Sequence, residues 1–174
     1  MNQESLKVPQ DRLAVLIGSK GTTKKDIEKK GKVKLEIDSE SGEVEVNGKD
    51  VLKLLKSQSV IKAIARGFSP EKAFKLFEDD YLLDIIDISE LTSSKKEIEN
   101  LRGRIIGKKG KAREKIEEKT KSFISVYGKT VSIIAKIEEI QNTRKAVEML
   151  LKGASHSRVY SALKEFESTK FELD

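Results

Sequence analysis

Two stretches of this sequence repeat each other, and that repeat constrains the fold more than any other feature. IGSKGTTKKDIEKKGK begins at Ile17, and IGKKGKAREKIEEKTK begins at Ile106, 89 positions later. A second match aligns VIKAIARGFSPEKAF, which ends at Phe74, with the segment that ends at Tyr160, 86 positions later. The change in offset lies in the turn SESG, which is longer than its counterpart in the second copy. Self-similarity at this spacing indicates a duplicated domain of roughly 85 residues.

Each copy has the same predicted order of elements: strand, helix, GxxG, helix, strand, strand, helix. In the first copy, KVKLEID (32–38) alternates as a strand, and EVEV after the turn predicts its hairpin partner. Gly31 is expected to end the preceding helix in a left-handed conformation. In the second copy, LLDIIDI (82–88) predicts a buried strand, and Ser94 with Glu97 predicts a capping box. The hairpin excludes a doubly wound parallel sheet.

We therefore expect an α+β fold made of two tandem domains. Each has a three-stranded antiparallel sheet with three helices on one face, followed by a short extra helix. The predicted boundaries are 1–68 for the first domain, 69–80 for a helical linker, and 81–174 for the second domain. The helix that completes the second domain is predicted over 156–167.

Positive charge is concentrated in the two copies of the repeat. From Arg102 to Lys121 there are nine Lys or Arg against three Glu, and from Gly18 to Lys34 there are seven Lys against two acidic residues. The formal net charge of the whole chain is only +6, so the remainder is acidic. Two basic segments on an otherwise acidic chain are typical of a protein that binds a polyanion. An ordinary solvated helix face is the alternative for either segment taken alone.

Composition excludes several classes of site. The chain has no cysteine, no apolar run of the roughly 20 residues that span a bilayer, and no signal-peptide pattern, so a cytoplasmic protein is expected. It has one histidine, His156, which is predicted to begin the last helix in a structural role. The run Glu78-Asp79-Asp80 could bind a metal, although a solvated linker explains it as well. We expect no enzyme activity, no cofactor and no metal.

The GxxG loop of the second copy combines bare backbone with charge. Gly107 and Gly110 have no Cβ, so the loop can turn sharply and approach another backbone closely. The loop precedes a helix N-terminus, which favours a phosphate, and Lys108 and Lys109 add two positive charges there. Two glycines at this spacing arise often by chance, but here they twice follow isoleucine and twice precede a hairpin. The pattern predicts a loop that binds a sugar-phosphate backbone.

The motif IGxxGxxxxxI within the order β-α-α-β-β-α resembles the type I KH domain, and two copies cover nearly the whole chain. In the second copy, RIIGKKGKAREKIEEKT, a hairpin and LLKGASHSRVYSAL resemble the archaeal partner-of-Nob, or Dim-type, pre-rRNA processing family. This resemblance implies a small ribosomal subunit assembly factor that binds single-stranded RNA in the 3′ region of small-subunit rRNA. It also implies two partners: the Nob endonuclease and the α subunit of translation initiation factor two.

The resemblance also implies the residues that contact RNA, because the KH GxxG loop clamps about four nucleotides by their backbone. In the second copy, the implied phosphate contacts are Gly107, Lys108, Lys109 and Gly110. The implied flanking cations are Arg102, Arg104, Lys111 and Arg113. The implied groove floor is Ile105, Ile106 and Ile116, for which core packing is the alternative. Backbone groups of 122–126 are the implied contacts to base edges.

In the first copy, the matching loop is Gly18, Ser19, Lys20 and Gly21. Its preceding helix carries only Arg12, so weaker RNA contact or a supporting role is expected there. The low aromatic content, 5%, argues against binding by extensive base stacking. A KH-shaped scaffold that binds a protein partner and has only weak, nonspecific RNA affinity is the alternative function. An exosome cap subunit would need an additional barrel domain, for which the chain has no room.

Overall fold

The computed structural model describes residues 1–173, and these residues form two compact units. The first unit is Met1–Tyr81, and the second begins at Leu82. Among the described residues, no helix is both long enough and apolar enough to cross a membrane.

The first unit has a three-stranded sheet, and its central strand is the third strand in sequence. Its elements are β1 (Asn2–Lys7), α1 (Gln10–Ile17), α2 (Thr22–Gly31), β2 (Val33–Ile37), β3 (Glu43–Gly48), α3 (Val51–Ala65) and α4 (Pro70–Ala73), which continues as a 3₁₀ turn (Phe74–Phe77). The strand order is β1-β3-β2, and both pairings are antiparallel. The expected order of elements is confirmed.

The second unit repeats this plan. Its elements are β4 (Tyr81–Asp87), α5 (Lys95–Ile106), α6 (Lys111–Thr120), β5 (Phe123–Tyr127), β6 (Thr130–Lys136), α7 (Ile137–Leu151) and α8 (His156–Leu173). The strand order is β4-β6-β5, which corresponds strand for strand to the order in the first unit. The expected α+β architecture of two three-stranded sheets with helices is therefore confirmed.

Helix starts follow the polar residues that the sequence places before them. The Asp50 carboxylate accepts hydrogen bonds from the N–H groups of Leu52 and Lys53 at 3.0 and 3.2 Å, which caps α3. The Ser94 hydroxyl accepts from the Glu97 N–H at 3.3 Å and caps α5. A capping box also requires the Glu97 carboxylate to accept from the Ser94 N–H. Here the Glu97 carboxylate accepts from the Thr92 hydroxyl at 2.6 Å instead, so only half of the predicted capping box forms.

The core of each unit lies between the sheet and the three long helices. In the second unit, the fully buried side chains include Ile105 on α5, Ile116 on α6, Ile133 on β6, Leu150 on α7 and Val159 on α8. In the first unit, they include Leu16, Ile27, Leu35, Ile61 and Ile64. Burying these apolar side chains is the main stabilising contribution, at roughly 1.5–3 kcal/mol each.

The end of α2 differs from the prediction. Gly31 lies within the helix and is buried against α3, where an added Cβ would be 1.9 Å from the Ser57 hydroxyl oxygen. The left-handed residue is the next one, Lys32, with φ 50° and ψ 44°. Lys121 has nearly the same angles after α6. Gly31 is therefore required for close helix packing rather than for a positive φ.

Two further predictions of element character were wrong. The strand over 82–88 is not a buried strand: β4 is at the edge of its sheet, and Leu82 and Ile85 are exposed. The last helix, α8, continues well beyond residue 167.

Residues 69–80 contain the short helix that the sequence indicates. Ser69 caps it and Pro70 is its first residue. The Lys56 ammonium on α3 donates to the Phe77 carbonyl oxygen at 3.2 Å and also pairs with the Asp79 carboxylate. The segment therefore packs on α3 within the first unit. Its assignment as a linker remains a prediction.

Candidate nucleic-acid interface

The two GxxG loops have the same backbone conformation. Gly107 has φ 71° and ψ 178°, and Gly18 has φ 77° and ψ 172°. Lys109 and Lys20, the third residues of the two loops, are both left-handed, with φ 56° and φ 54°. A left-handed lysine is unusual and costs free energy, since its Cβ approaches the following carbonyl oxygen. The two copies of the loop therefore share one backbone conformation, including the strained third residue.

The two glycines of the second loop have different physical roles. A Cβ added at Gly107 would be 2.5 Å from the Cβ of Ala112 and 2.9 Å from its backbone nitrogen, so this glycine allows the loop to pack on the first turn of α6. A Cβ added at Gly110 would meet no atom within 4 Å, although φ is 76° there. Gly110 therefore faces open space where another molecule can approach.

The charge that this loop presents comes from its lysine side chains. Lys108, Lys109 and Lys111 are exposed. The backbone N–H of Gly110 donates to the Gly107 carbonyl at 3.2 Å, and that of Lys111 donates to the Lys108 carbonyl. These two donors at the start of α6 are already bonded within the loop. The expectation that unpaired helix N–H groups favour a phosphate is thus weakened at these two positions, and the ammonium groups carry the attraction.

Arg104 has a structural role in the fold, and its predicted place beside the RNA remains a prediction. Its Nε donates to the Leu150 carbonyl at 3.0 Å, and its Nη2 donates to the Ala154 carbonyl at 2.5 Å. Arg12 makes the same pair of bonds in the first unit, to the carbonyls of Ile64 and Phe68, both at 2.8 Å. Each arginine satisfies carbonyl groups at the end of the third long helix of its unit. The two copies are therefore alike in this respect.

The other predicted cations remain near the loop. Arg102 is half-buried on α5, and its Nε is buried without a hydrogen-bond partner. Arg113 is half-buried on α6, where its Nε lies 3.4 Å from a Glu117 carboxylate oxygen. Lys111 is the exposed member of this group, which makes it the most available of the flanking charges.

Two of the three predicted groove isoleucines lie in the core. Ile105 and Ile116 are fully buried, so neither can form the floor of an open groove, and that expectation was wrong for both. Their positions on α5 and α6 face the sheet, which explains the burial. Ile106 is half-buried at the end of α5, directly before the loop, and remains a candidate for contact with a base.

The edge of β5 is partly occupied by a side chain that the sequence did not point to. The Glu117 carboxylate accepts from the Ile124 N–H at 3.0 Å, and Glu28 makes the equivalent bond to Leu35 in the first unit, also at 3.0 Å. Because backbone groups alternate in direction along an edge strand, Val126 presents its N–H and C=O to the same side as Ile124. Of the predicted range 122–126, Val126 is therefore the best placed to meet a base edge.

The two units differ more in the charge of their hairpins than in the charge of their GxxG loops. Between residues 119 and 137 the second unit has no acidic residue and four lysines, of which Lys129 and Lys136 lie on the hairpin itself. The first hairpin carries five carboxylates on β2, β3 and the turn between them: Glu36, Asp38, Glu40, Glu43 and Glu45. The Ser41 hydroxyl and the N–H groups of Glu40 and Ser41 hold the pKa of Asp38 below its ordinary value of 3.8. Counting acids along each predicted hairpin would have revealed this contrast from sequence.

His156 begins α8, as expected, and contacts the helix that leads into the second loop. Its Nε2 lies 2.9 Å from the Arg104 carbonyl oxygen, which is an acceptor, so Nε2 carries the proton. The Lys115 ammonium lies 4.0 Å from the centre of the Tyr160 ring on the same helix. These contacts attach α8 to α5 and α6 beside the loop.

The described residues contain no group of three or more His, Cys, Asp or Glu side chains that could hold a metal ion. Asp79 is paired with Lys56, and this hydrogen bond, with the charge of Lys56, lowers the pKa of the carboxyl below 3.8. Within the run Glu78-Asp79-Asp80, Asp79 therefore attaches the end of the first unit to α3.

Comparison with known protein families gives a match in each unit. Residues 82–168 match the model described as a eukaryotic-type KH domain (KH domain type I). Residues 3–65 match the general KH domain model. Both GxxG loops lie inside the matched ranges.

Relatives and solved structures match the chain over nearly its full length. The KH domain-containing protein MJ0443 of Methanocaldococcus jannaschii is 48% identical over 178 residues, which is 98% of this chain and 78% of the relative. The crystal structure of Dim2p from Pyrococcus horikoshii is 44% identical, with a TM-score of 0.89 over 95% of this chain and 99% of the other. The complex of a/eIF2alpha, aDim2p and rRNA from the same organism contains a chain that is 43% identical, with a TM-score of 0.90 over 97% and 95% of the two chains.

Proposed function

This chain belongs to the archaeal KH-domain proteins of the Dim type, and we propose that it binds single-stranded RNA mainly through its second GxxG loop. The observation that carries the proposal is the combination of an open Gly110, two exposed loop lysines and a hairpin without acidic residues in one unit. KH domains recognise unpaired nucleotides in this way, with the loop on the backbone and the bases in the adjacent groove.

In this proposal, RNA phosphates contact the loop from Gly107 to Gly110. Lys108, Lys109 and Lys111 neutralise them, and the missing Cβ of Gly110 leaves room for the sugar-phosphate chain. The bases then lie between Ile106 and the edge of β5, where the backbone of Val126 offers one donor and one acceptor. With three or four phosphates neutralised, the affinity falls with salt with a log–log slope of about −2 to −3.

The first loop has a lesser role in this proposal. Gly18, Ser19, Lys20 and Gly21 repeat the backbone of the second loop, so the loop itself can accept a phosphate. The carboxylates of the first hairpin, however, stand where bases and their phosphates would continue, and they repel the RNA. We expect this loop to contribute less than the second to RNA affinity.

The RNA is proposed to be the 3′ region of small-subunit rRNA, in the role of a ribosome assembly factor that acts by binding. Support comes from the similar chain found in complex with rRNA and a/eIF2alpha. On the same ground, the α subunit of translation initiation factor two is a proposed protein partner. The Nob endonuclease is a second proposed partner, which rests on the family resemblance.

The test compares two labelled single-stranded RNAs by fluorescence anisotropy at several salt concentrations. One has the 3′-terminal sequence of small-subunit rRNA, and the other has the same composition in scrambled order. We expect tighter binding of the first. We also expect the salt slope to become shallower by about 1.4 in Lys108→Gln/Lys109→Gln, at about 0.7 per lysine. Equal affinities would refute the rRNA assignment, and an unchanged slope would refute the loop assignment and favour a protein scaffold with weak RNA affinity. A control incubation with Mg²⁺ should leave the RNA intact.

A further inference from the structure

The start of α3 in the first unit exposes three apolar side chains. Val51 is 51% exposed, Leu52 is 71% exposed and Leu55 is 47% exposed. Their spacing of one and four residues places them on one side of the helix. Single exposed apolar residues are ordinary, but three neighbours on the first turns of a helix form a patch.

The second unit supplies an internal comparison, because α7 and α3 have the same length and the same place in the fold. Ile137 on α7 corresponds to Val51 and is 55% exposed. The positions of Leu52 and Leu55 are taken by Glu138 and Gln141, the polar residues expected at a solvated helix start. The fold therefore does not require leucine at these two positions. Their presence in one unit indicates a surface that contacts something else.

A cavity of 550 Å³ opens beside the first residues of α3. It is lined by the backbone and side chains of Met1, Lys32, Val33, Lys34, Glu36 and 47–50. A Cβ added at Gly48 would be 3.0 Å from a Val33 methyl carbon, so a side chain at this position would crowd Val33 on the neighbouring strand. The volume falls within the range of roughly 300–1,000 Å³ found for ligand-binding pockets. Asp50, the residue directly before Val51, lines this cavity, so the cavity adjoins the start of α3.

Three lysines and two carboxylates line the cavity, and both carboxylates have partners within the chain. The Asp50 carboxylate is used to cap α3, and Glu36 lies 3.7 Å from the Lys34 ammonium. Lys32 and Lys49 are exposed at the rim. A ligand that covers the leucines would therefore meet ammonium groups at its border, which favours acidic residues on the ligand.

We infer that this surface docks a short amphipathic segment of a partner protein, with apolar side chains on Leu52 and Leu55 and acidic side chains against Lys32 and Lys49. A helix laid in a shallow groove is a recurrent way to bury such a patch. A second copy of this chain is a poorer fit, since a stable dimer interface takes about 20–30 residues from each partner and this patch has three apolar side chains. RNA is also a poorer fit, because phosphates would not bury the leucines.

The test uses a phage-displayed library of random 16-residue peptides, selected on the full chain and followed by anisotropy of labelled synthetic peptides. We expect selected peptides to combine apolar residues at helical spacing with Asp or Glu. Leu52→Glu/Leu55→Gln, which copies the second unit, should weaken their binding by at least about tenfold. The matched control Ile137→Glu changes an equally exposed residue in the other unit and should leave binding unchanged. Circular dichroism establishes that both variants are folded.

Several results would overturn the inference. One is a selection that yields no peptides, or yields basic ones; another is a peptide that binds Leu52→Glu/Leu55→Gln as well as it binds the original chain. A concentration-dependent dimer that this double change abolishes would assign the patch to a second copy instead. A loss of RNA affinity in this variant would assign the patch to RNA. Lys108→Asp/Lys109→Asp should keep peptide binding, so failure of the proposed RNA function is distinguishable from failure of this inference.

Discussion

Replacing each glycine of the second loop by alanine should show which glycine the fold requires and which one RNA binding requires. We predict that Gly107→Ala strongly destabilises the second unit. Gly110→Ala should destabilise it only slightly and should reduce RNA affinity. Both residues have positive φ, so their difference must come from what surrounds them.

The magnitudes follow from the geometry. Gly107, with φ 71° and ψ 178°, is in a region that only glycine adopts readily, at a cost of about 1–3 kcal/mol for alanine. The added methyl group would also be 2.5 Å from the Ala112 Cβ, which cannot rotate away, and such overpacking costs about 1–3 kcal/mol. We expect a total of about 2–6 kcal/mol. At Gly110 there is no contact within 4 Å, so only the left-handed cost of about 1–2 kcal/mol remains.

The assay is urea unfolding followed by tyrosine fluorescence, together with RNA anisotropy on the folded variants. All three tyrosines lie at or after residue 81, so the signal reports mainly on the second unit. Gly103→Ala is the matched control: Gly103 lies within α5 with no atom near an added Cβ, and alanine there should stabilise by about 0.5–1 kcal/mol. A Gly110→Ala variant as unstable as Gly107→Ala would refute this division of roles.

Three further predictions concern residues outside the loop. Arg104→Met should lower the free energy of unfolding by about 2–3 kcal/mol, through two carbonyl groups left without donors, while the salt slope of RNA binding stays unchanged. A shallower salt slope in this variant would show that Arg104 contacts the RNA. Glu117→Gln should cost about 1 kcal/mol in urea unfolding, because a charge-assisted bond to Ile124 becomes a neutral one. No change would show that this bond does not stabilise the strand edge. Asp79→Asn should lower the free energy of unfolding at pH values above 3.8, the ordinary pKa of the Asp79 carboxyl. Because Lys56 lowers the folded pKa, the difference between the chains should shrink as pH falls below 3.8, and a difference that persists at pH 2 would contradict the pairing.

Much of the fold could be predicted because the two copies corroborate each other. The alternation over 33–37, the cap at Asp50 and the paired GxxG loops are local signals, and each appears twice or at a place the repeat fixes. Gly31 was misassigned because a glycine at a helix end usually indicates a left-handed cap. Here tertiary contact decided its role: the backbone of α2 approaches Ser57 too closely for any side chain.

The candidate site was less predictable, since charge in a sequence does not say what the charge contacts. Arg104 looks like a surface cation, yet it bonds two carbonyl groups some fifty positions away in the chain. Ile105 and Ile106 are adjacent in sequence, and helix geometry alone puts the first in the core and leaves the second half-buried. The acid-free hairpin was readable from sequence and carries more of the asymmetry between the units than the arginines do.

The most direct test of the central claim compares matched changes in the two loops. Lys108→Asp/Lys109→Asp and Ser19→Asp/Lys20→Asp alter corresponding positions that share one backbone conformation. Their dissociation constants for the same single-stranded RNA should be measured by anisotropy at one salt concentration. We predict a loss of at least about a hundredfold for the second-loop variant, two charges being reversed at the phosphates, and less than about threefold for the first-loop variant. Equal losses, or a larger loss in the first loop, would contradict the assignment of RNA binding to the second unit.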